Sequence, residues 1–121
     1  MERARAQVAA ATGCVAGDVV FTSGATEAAA LALAGRGLHG APVEHDCVAA
    51  WVSADLPVDA AGRVGVTDPA ASALQAANSE TGVMQELPRT LACVDAVQVV
   101  GRLPFAFDWI GARAAIVSAH K

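Results

Sequence analysis

The sequence predicts an α/β fold, a three-layer α/β/α sandwich around a mainly parallel sheet. Three observations predict it: apolar runs of strand length alternate with Ala- and Leu-rich runs of helical period, Gly punctuates most of the changes, and polar residues cluster directly after the apolar runs. Residues 2–12 read as a helix, with Ala and Val on one side and Arg3, Arg5 and Gln7 mixed in, closed by Gly13. Residues 18–22 are a short β-rich run. The Ser23-Gly24-Ala25-Thr26-Glu27 stretch breaks it, and residues 28–34 continue as a helix ending at Gly35. Further strands are expected at 39–43, 72–77, 91–94 and 114–118, with helical or irregular stretches at 46–51 and 107–112. In parallel sheets ligands gather at the carboxyl ends of strands, which is where these polar clusters fall.

The 121 residues suit one domain, and 55% apolar with 17% charged is a composition that packs a core. A net charge of −4 without a Lys/Arg cluster argues against nucleic acid as a partner. No apolar run reaches membrane-spanning length and residues 1–12 lack signal-peptide order, so no membrane is expected and the cytoplasm is the default location. Cys14, Cys47 and Cys93 are odd in number and far apart, as reduced, buried thiols would be.

Four stretches carry chemistry. In FTSGATE, Gly24 permits close backbone approach while Ala25 and Thr26 open a helix whose free N–H groups and positive dipole end suit a phosphate; the plain alternative is a helix cap on Ser23 or Thr26. In VEHDCV, His45 is either a metal ligand with Glu44 and Cys47, a ring lying over another ring, or a satisfied surface histidine. In VDAVQ, Asp95 follows a buried strand, where it needs a cationic partner to stay ionised, unless it is only a cap for the next turn. In SAHK, Lys121 is delivered the same way, and an amine in a crevice serves as a nucleophile toward a carbonyl. Together they ask for a ligand with a phosphate, a basic ring nitrogen, a phenolic oxygen and an aldehyde. Pyridoxal 5'-phosphate meets that description.

The ordered set FTSGATEAAALAL, VEHDCV, AANSETGVMQ, VDAVQVVGRLPF and SAHK resembles the class V aminotransferases of the fold-type I pyridoxal phosphate enzymes, in their cysteine desulfurase branch. The resemblance implies roles residue by residue. Lys121 matches the Schiff-base lysine, which also moves protons. Asp95 matches the carboxylate facing the pyridine nitrogen, and Gln98 the hydrogen-bond partner of the phenolic oxygen. His45 matches the histidine stacked on the ring, a second acid or base. Ala25, Thr26, Ser118 and His120 match the phosphate cradle, and no metal is implied.

At the site next to Glu80 the family commonly carries Asn facing the cofactor; here Ser79 stands there with Asn78 before it, and either is a candidate. The stretch from Glu86 to Val94, with Pro88 in it, leaves little room for the family's usual helix. Residues 1–121 match part of the large, cofactor-binding domain, so the expectation is a chain without the family's N-terminal segment, small domain or persulfide-forming cysteine. The implied parent reaction takes L-cysteine to L-alanine, passing sulfur to an enzyme cysteine and on to an acceptor protein, in a homodimer. Selenocysteine lyase or aminotransferase activity is the alternative within the family. A non-catalytic binding or assembly module is the alternative outside it.

Overall fold

The computed structural model describes residues 1–121. Five short strands, β1 (Leu38–Gly40), β2 (Val52–Ala54), β3 (Ala73–Gln75), β4 (Cys93–Asp95) and β5 (Ala115–Ile116), pair in parallel wherever they meet. β1 pairs with β2, and β4 lies between β3 and β5. A parallel bridge between His39 and Ser72 joins the two groups, so the order across the molecule is β2-β1-β3-β4-β5. Direction of travel reverses between β1 and β3. That reversal opens a crevice beyond the carboxyl ends of the strands.

Side-chain alternation along the strands sorts the core into two layers. On one face Ala73, Cys93 and Ile116 pack with Ala29 and Leu33 of α2 (Ala25–Leu33) and Val48 of α3 (Asp46–Ala49). On the other, Leu74 and Val94 pack with Val99 and Ala112, and Phe107 and Ile110 of α4 (Phe107–Ile110) lie against them. Burial on both faces is the usual condition of a parallel sheet. Alanines at positions 29, 73 and 92 are what let helix and sheet approach closely. The N-terminal helix α1 (Glu2–Thr12) ends as expected at Gly13, in the left-handed conformation with φ 69°. No helix is long and apolar enough to cross a membrane.

The crossovers are short: α3 is one turn, and the passage from β3 to β4 contains no helix, as the Pro88 stretch predicts. Two expectations need correction. Residues 18–22 form no strand; a short 3-10 turn covers Ala16–Asp18, and residues 19–22 run on without ladder hydrogen bonds. The physical reason is the lack of a partner: an apolar groove of about 590 Å³ separates Val19, Val20 and Thr22 from β5. β2 is the other correction, an edge strand just beyond the stretch read as helical.

β1 and β2 meet closely at Gly40, where a Cβ would come 2.5 Å from Val52 Cγ2 and 3.6 Å from Glu44 Cγ. Gly40→Ala is therefore expected to destabilise the chain by about 1–3 kcal/mol through overpacking. Chemical denaturation checks this, and unchanged stability would contradict the packing described.

Candidate functional site

The crevice at the strand ends is a cavity of about 650 Å³. All ten residues singled out from the sequence line it, although they come from five separate segments. Ala25 and Thr26 stand at the start of α2. His45 caps α3, and Asn78 and Ser79 follow β3. Asp95 ends β4, with Gln98 one turn beyond, while Ser118, His120 and Lys121 follow β5. Lys121 is the only lysine in the chain.

At α2 the alternative reading as a side-chain cap is not realised. Gly24 occupies the cap position, no side chain caps the helix, and the N–H groups of Ala25 and Thr26 are not engaged by any protein group. Glu27 reaches back instead to the Ser23 N–H at 2.6 Å, and hydrogen bonds from Ser23 hold its carboxyl below the usual range. The helix start thus keeps free donors beside the Thr26 hydroxyl. Across the cavity Ser118 Oγ and His120 Nδ1 lie 2.7 Å apart. This is the donor set an anion takes.

Asp95 is half-buried, and burial pushes its pKa up, partly offset by the Val97 N–H, which donates to Oδ1 at 3.1 Å, and by His45. The cap alternative is therefore physically present at one oxygen. Oδ2 makes no hydrogen bond within the protein and is free for a cationic N–H, which would lower the cost of keeping the carboxylate ionised.

His45 is oriented by its own helix. The Cys47 N–H donates to His45 Nδ1 at 3.2 Å and Cys47 Sγ lies 3.1 Å from the same nitrogen. Burial, with Asp95 and Asp46 nearby, pushes the Cys47 thiol up, so it stays S–H and donates as well. A nitrogen that accepts from a backbone N–H cannot carry a proton, so the neutral ring holds its proton on Nε2. No group of three His, Cys, Asp or Glu side chains converges as a metal cluster would.

Asn78 spends its side chain on the turn: Oδ1 accepts from the Glu80 and Thr81 N–H groups, at 2.9 and 3.0 Å, and Nδ2 donates to the Val43 carbonyl at 3.1 Å. Of the two candidates, Ser79 keeps its hydroxyl free.

Sequence reasoning offered Glu44 only as a metal ligand beside His45 and missed Gln75, its partner on the floor of the cavity. Glu44 is only 6% exposed, with Oε1 accepting from the Gln75 N–H at 3.2 Å and Oε2 without any partner. Gln75, also buried, donates from Nε2 to the Val43 carbonyl at 2.8 Å. Burial foremost, then the charge of Asp95, raises Glu44 to about 7, against an ordinary 4.5. A buried acid in a short loop has no periodicity to betray it.

No known family profile matches the chain. Two curated relatives align with all of it: a cysteine desulfurase of Frankia sp. (strain EuIK1), 37% identical over 166 positions, and the cysteine desulfurase IscS of Dictyoglomus turgidum, 31% over 156. Along its whole length the chain is similar to cysteine desulfurases. It spans 39% and 40% of the length of those relatives, which carry extra residues within the matched region, in keeping with the abbreviated crossovers. Among solved structures, DndA from Streptomyces lividans superposes with a TM-score of 0.78 at 25% identity, over 99% of this chain and 43% of that one. A NifS-like protein from Rickettsia africae shares the fold with a TM-score of 0.80 at 23% identity, over 96% of this chain and 41% of that one.

Glu44 carries a pH signature. Between pH 4.5 and about 7 the folded chain holds a proton that the unfolded chain has released, so this residue makes stability fall as pH rises through that window. Glu44→Gln keeps the acceptor for the Gln75 N–H and removes the charge. It is expected to gain up to about 3 kcal/mol over the parent at pH 8 and little at pH 4. Denaturation at the two pH values checks this; an equal difference at both would contradict it.

Proposed function

We propose that the chain is the cofactor-holding part of the large domain of a pyridoxal phosphate-dependent cysteine desulfurase, acting on L-cysteine as a homodimer in the cytoplasm and passing sulfur to an acceptor protein. The observation that carries this is the convergence, in one crevice, of a helix start with free N–H groups, a half-buried carboxylate, an amide, an imidazole and the chain's single lysine. The residues fit the cofactor: an anion site and a carboxylate with an open oxygen stand on separate walls of a cavity of about 650 Å³.

When bound, pyridoxal phosphate supplies an electron sink for charge developing on the substrate's α-carbon. The chain supplies the groups that would hold it. The Ala25 and Thr26 N–H groups, the Thr26 and Ser118 hydroxyls and His120 hold the phosphate. Asp95 keeps a proton on the ring nitrogen, Gln98 and Ser79 serve the phenolic oxygen, and His45 lies against the ring with its proton on Nε2. Lys121 is the covalent anchor, and its Nζ carries a proton to and from the substrate carbon. His45 Nδ1 is occupied by Cys47, so any proton His45 moves passes through Nε2. Burial pushes the Cys93 thiol to about 12, and the Cys47 thiol is committed to His45. Cys14 lines the separate apolar groove, so none of the three is set as a sulfur nucleophile, and that thiol is assigned to the rest of the proposed enzyme.

The test is Asp95→Asn in the complete enzyme. Cofactor binding through lysine and phosphate is expected to persist while kcat falls by about a hundredfold or more, as when a preorganised charge is removed. Titration by visible absorbance and steady-state kinetics separate the two effects. Near-normal turnover in the Asn variant would contradict the role given to Asp95.

A further inference from the structure

Arg102 lies outside the set of residues the site was built from, yet its guanidinium bridges two of them. Nη1 donates to Gln98 Oε1 and, at 3.4 Å, approaches the Gln98 carbonyl; Nη2 donates to the carbonyl oxygen of Lys121 at 3.0 Å. The side chain springs from a helical turn after β4, held by the Val99 and Val100 N–H groups on the Ala96 carbonyl and by the Arg102 and Leu103 N–H groups on the Val99 carbonyl. Val99 is anchored in the core. Arg102 therefore stands one turn beyond Gln98 on a fixed base, with one prong on a residue four positions back and the other on a residue nineteen positions ahead.

A guanidinium donates and cannot accept, so Gln98 has to turn its oxygen toward Arg102. The amide Nε2 is left as the free end of a side chain that lines the cavity. Gln98 consequently presents N–H donors and selects a ligand oxygen rather than a ligand N–H. The second prong acts on the main chain of Lys121, which lines the same cavity. No acidic side chain lies within ion-pair distance of Arg102, so its guanidinium is not drawn away from these two contacts by a side-chain carboxylate. Two parallel donors in a fixed fork are what a guanidinium has and an ammonium lacks.

We infer that Arg102 is a positioning residue of the crevice, a two-pronged clamp that fixes Gln98 as a donor and ties down the backbone of Lys121. The ligand side of this inference rests on the pyridoxal phosphate reading above; the clamp itself is a property of the chain alone.

The experiment has an arm for each. Without ligand, hydrogen exchange followed by mass spectrometry compares the parent chain with R102A and R102K. R102A is expected to raise exchange in residues 117–121 and leave residues 93–95 unchanged, and R102K, with one point donor, to restore the protection only in part. Because Arg102 is exposed, R102A is expected to fold; should it unfold, R102K gives the same comparison. With pyridoxal phosphate added, R102A is expected to weaken binding by about tenfold. The R102A/Q98A double variant is expected to lose less than the product of the two single losses. Unchanged exchange at residues 117–121 in the Arg102 variants overturns the clamp whatever the ligand does, and losses that multiply fully overturn the Gln98 prong. A parent chain that fails to bind pyridoxal phosphate overturns the functional reading instead, and the exchange comparison still decides Arg102.

Discussion

Burial of β3 and β4 on both faces is the constraint from which the site follows. Leu74, Cys93 and Val94 are at most 1% exposed, so neither strand has room for a charge until the sheet lets go of it at its carboxyl end. The first polar groups past that point are Gln75 on β3 and Asp95 on β4, register partners side by side. The reversal of strand order between β1 and β3 then leaves a space above them, and the loop after β1 leans across with Glu44 and His45. The crevice is polar because the strands beneath it cannot be.

The same constraint sets the electrostatics. Two carboxyl groups, Glu44 and Asp95, are held where water reaches them poorly, and burial raises both. Each would be stabilised in its ionised form by an incoming positive charge, so the floor of the cavity favours a cationic ring nitrogen. The opposite wall offers the reverse, with free N–H groups at a helix start and the hydroxyls of Thr26 and Ser118. A ligand with a cation at one end and an anion at the other matches both walls.

Much of this was legible in the sequence because it rides on local signals. Gly13 stops α1, the Ser23-to-Glu27 stretch starts α2, and each site residue stands just after an apolar run. What was illegible depends on partners far along the chain. Residues 19–22 have strand composition yet no neighbouring strand to pair with. β2 carries Ser53 and lies on the edge, so its pattern is too polar to read as a strand. Asn78 and Ser79 were equivalent on paper; only the contacts of Asn78 with Val43, Glu80 and Thr81 separate them. Glu44 and Arg102 act through bonds to Gln75 and Lys121, at separations no local pattern encodes.

The central claim is that the chain's single lysine covalently holds a pyridoxal phosphate in this crevice. Borohydride reduction after addition of the cofactor, followed by peptide mapping of the complete enzyme, tests it most directly. The account predicts a reduced pyridoxyl label on Lys121 and none there once Lys121→Ala is made. A label confined to another lysine of the complete enzyme or to its N-terminal amine, with Lys121 unmodified, would contradict it.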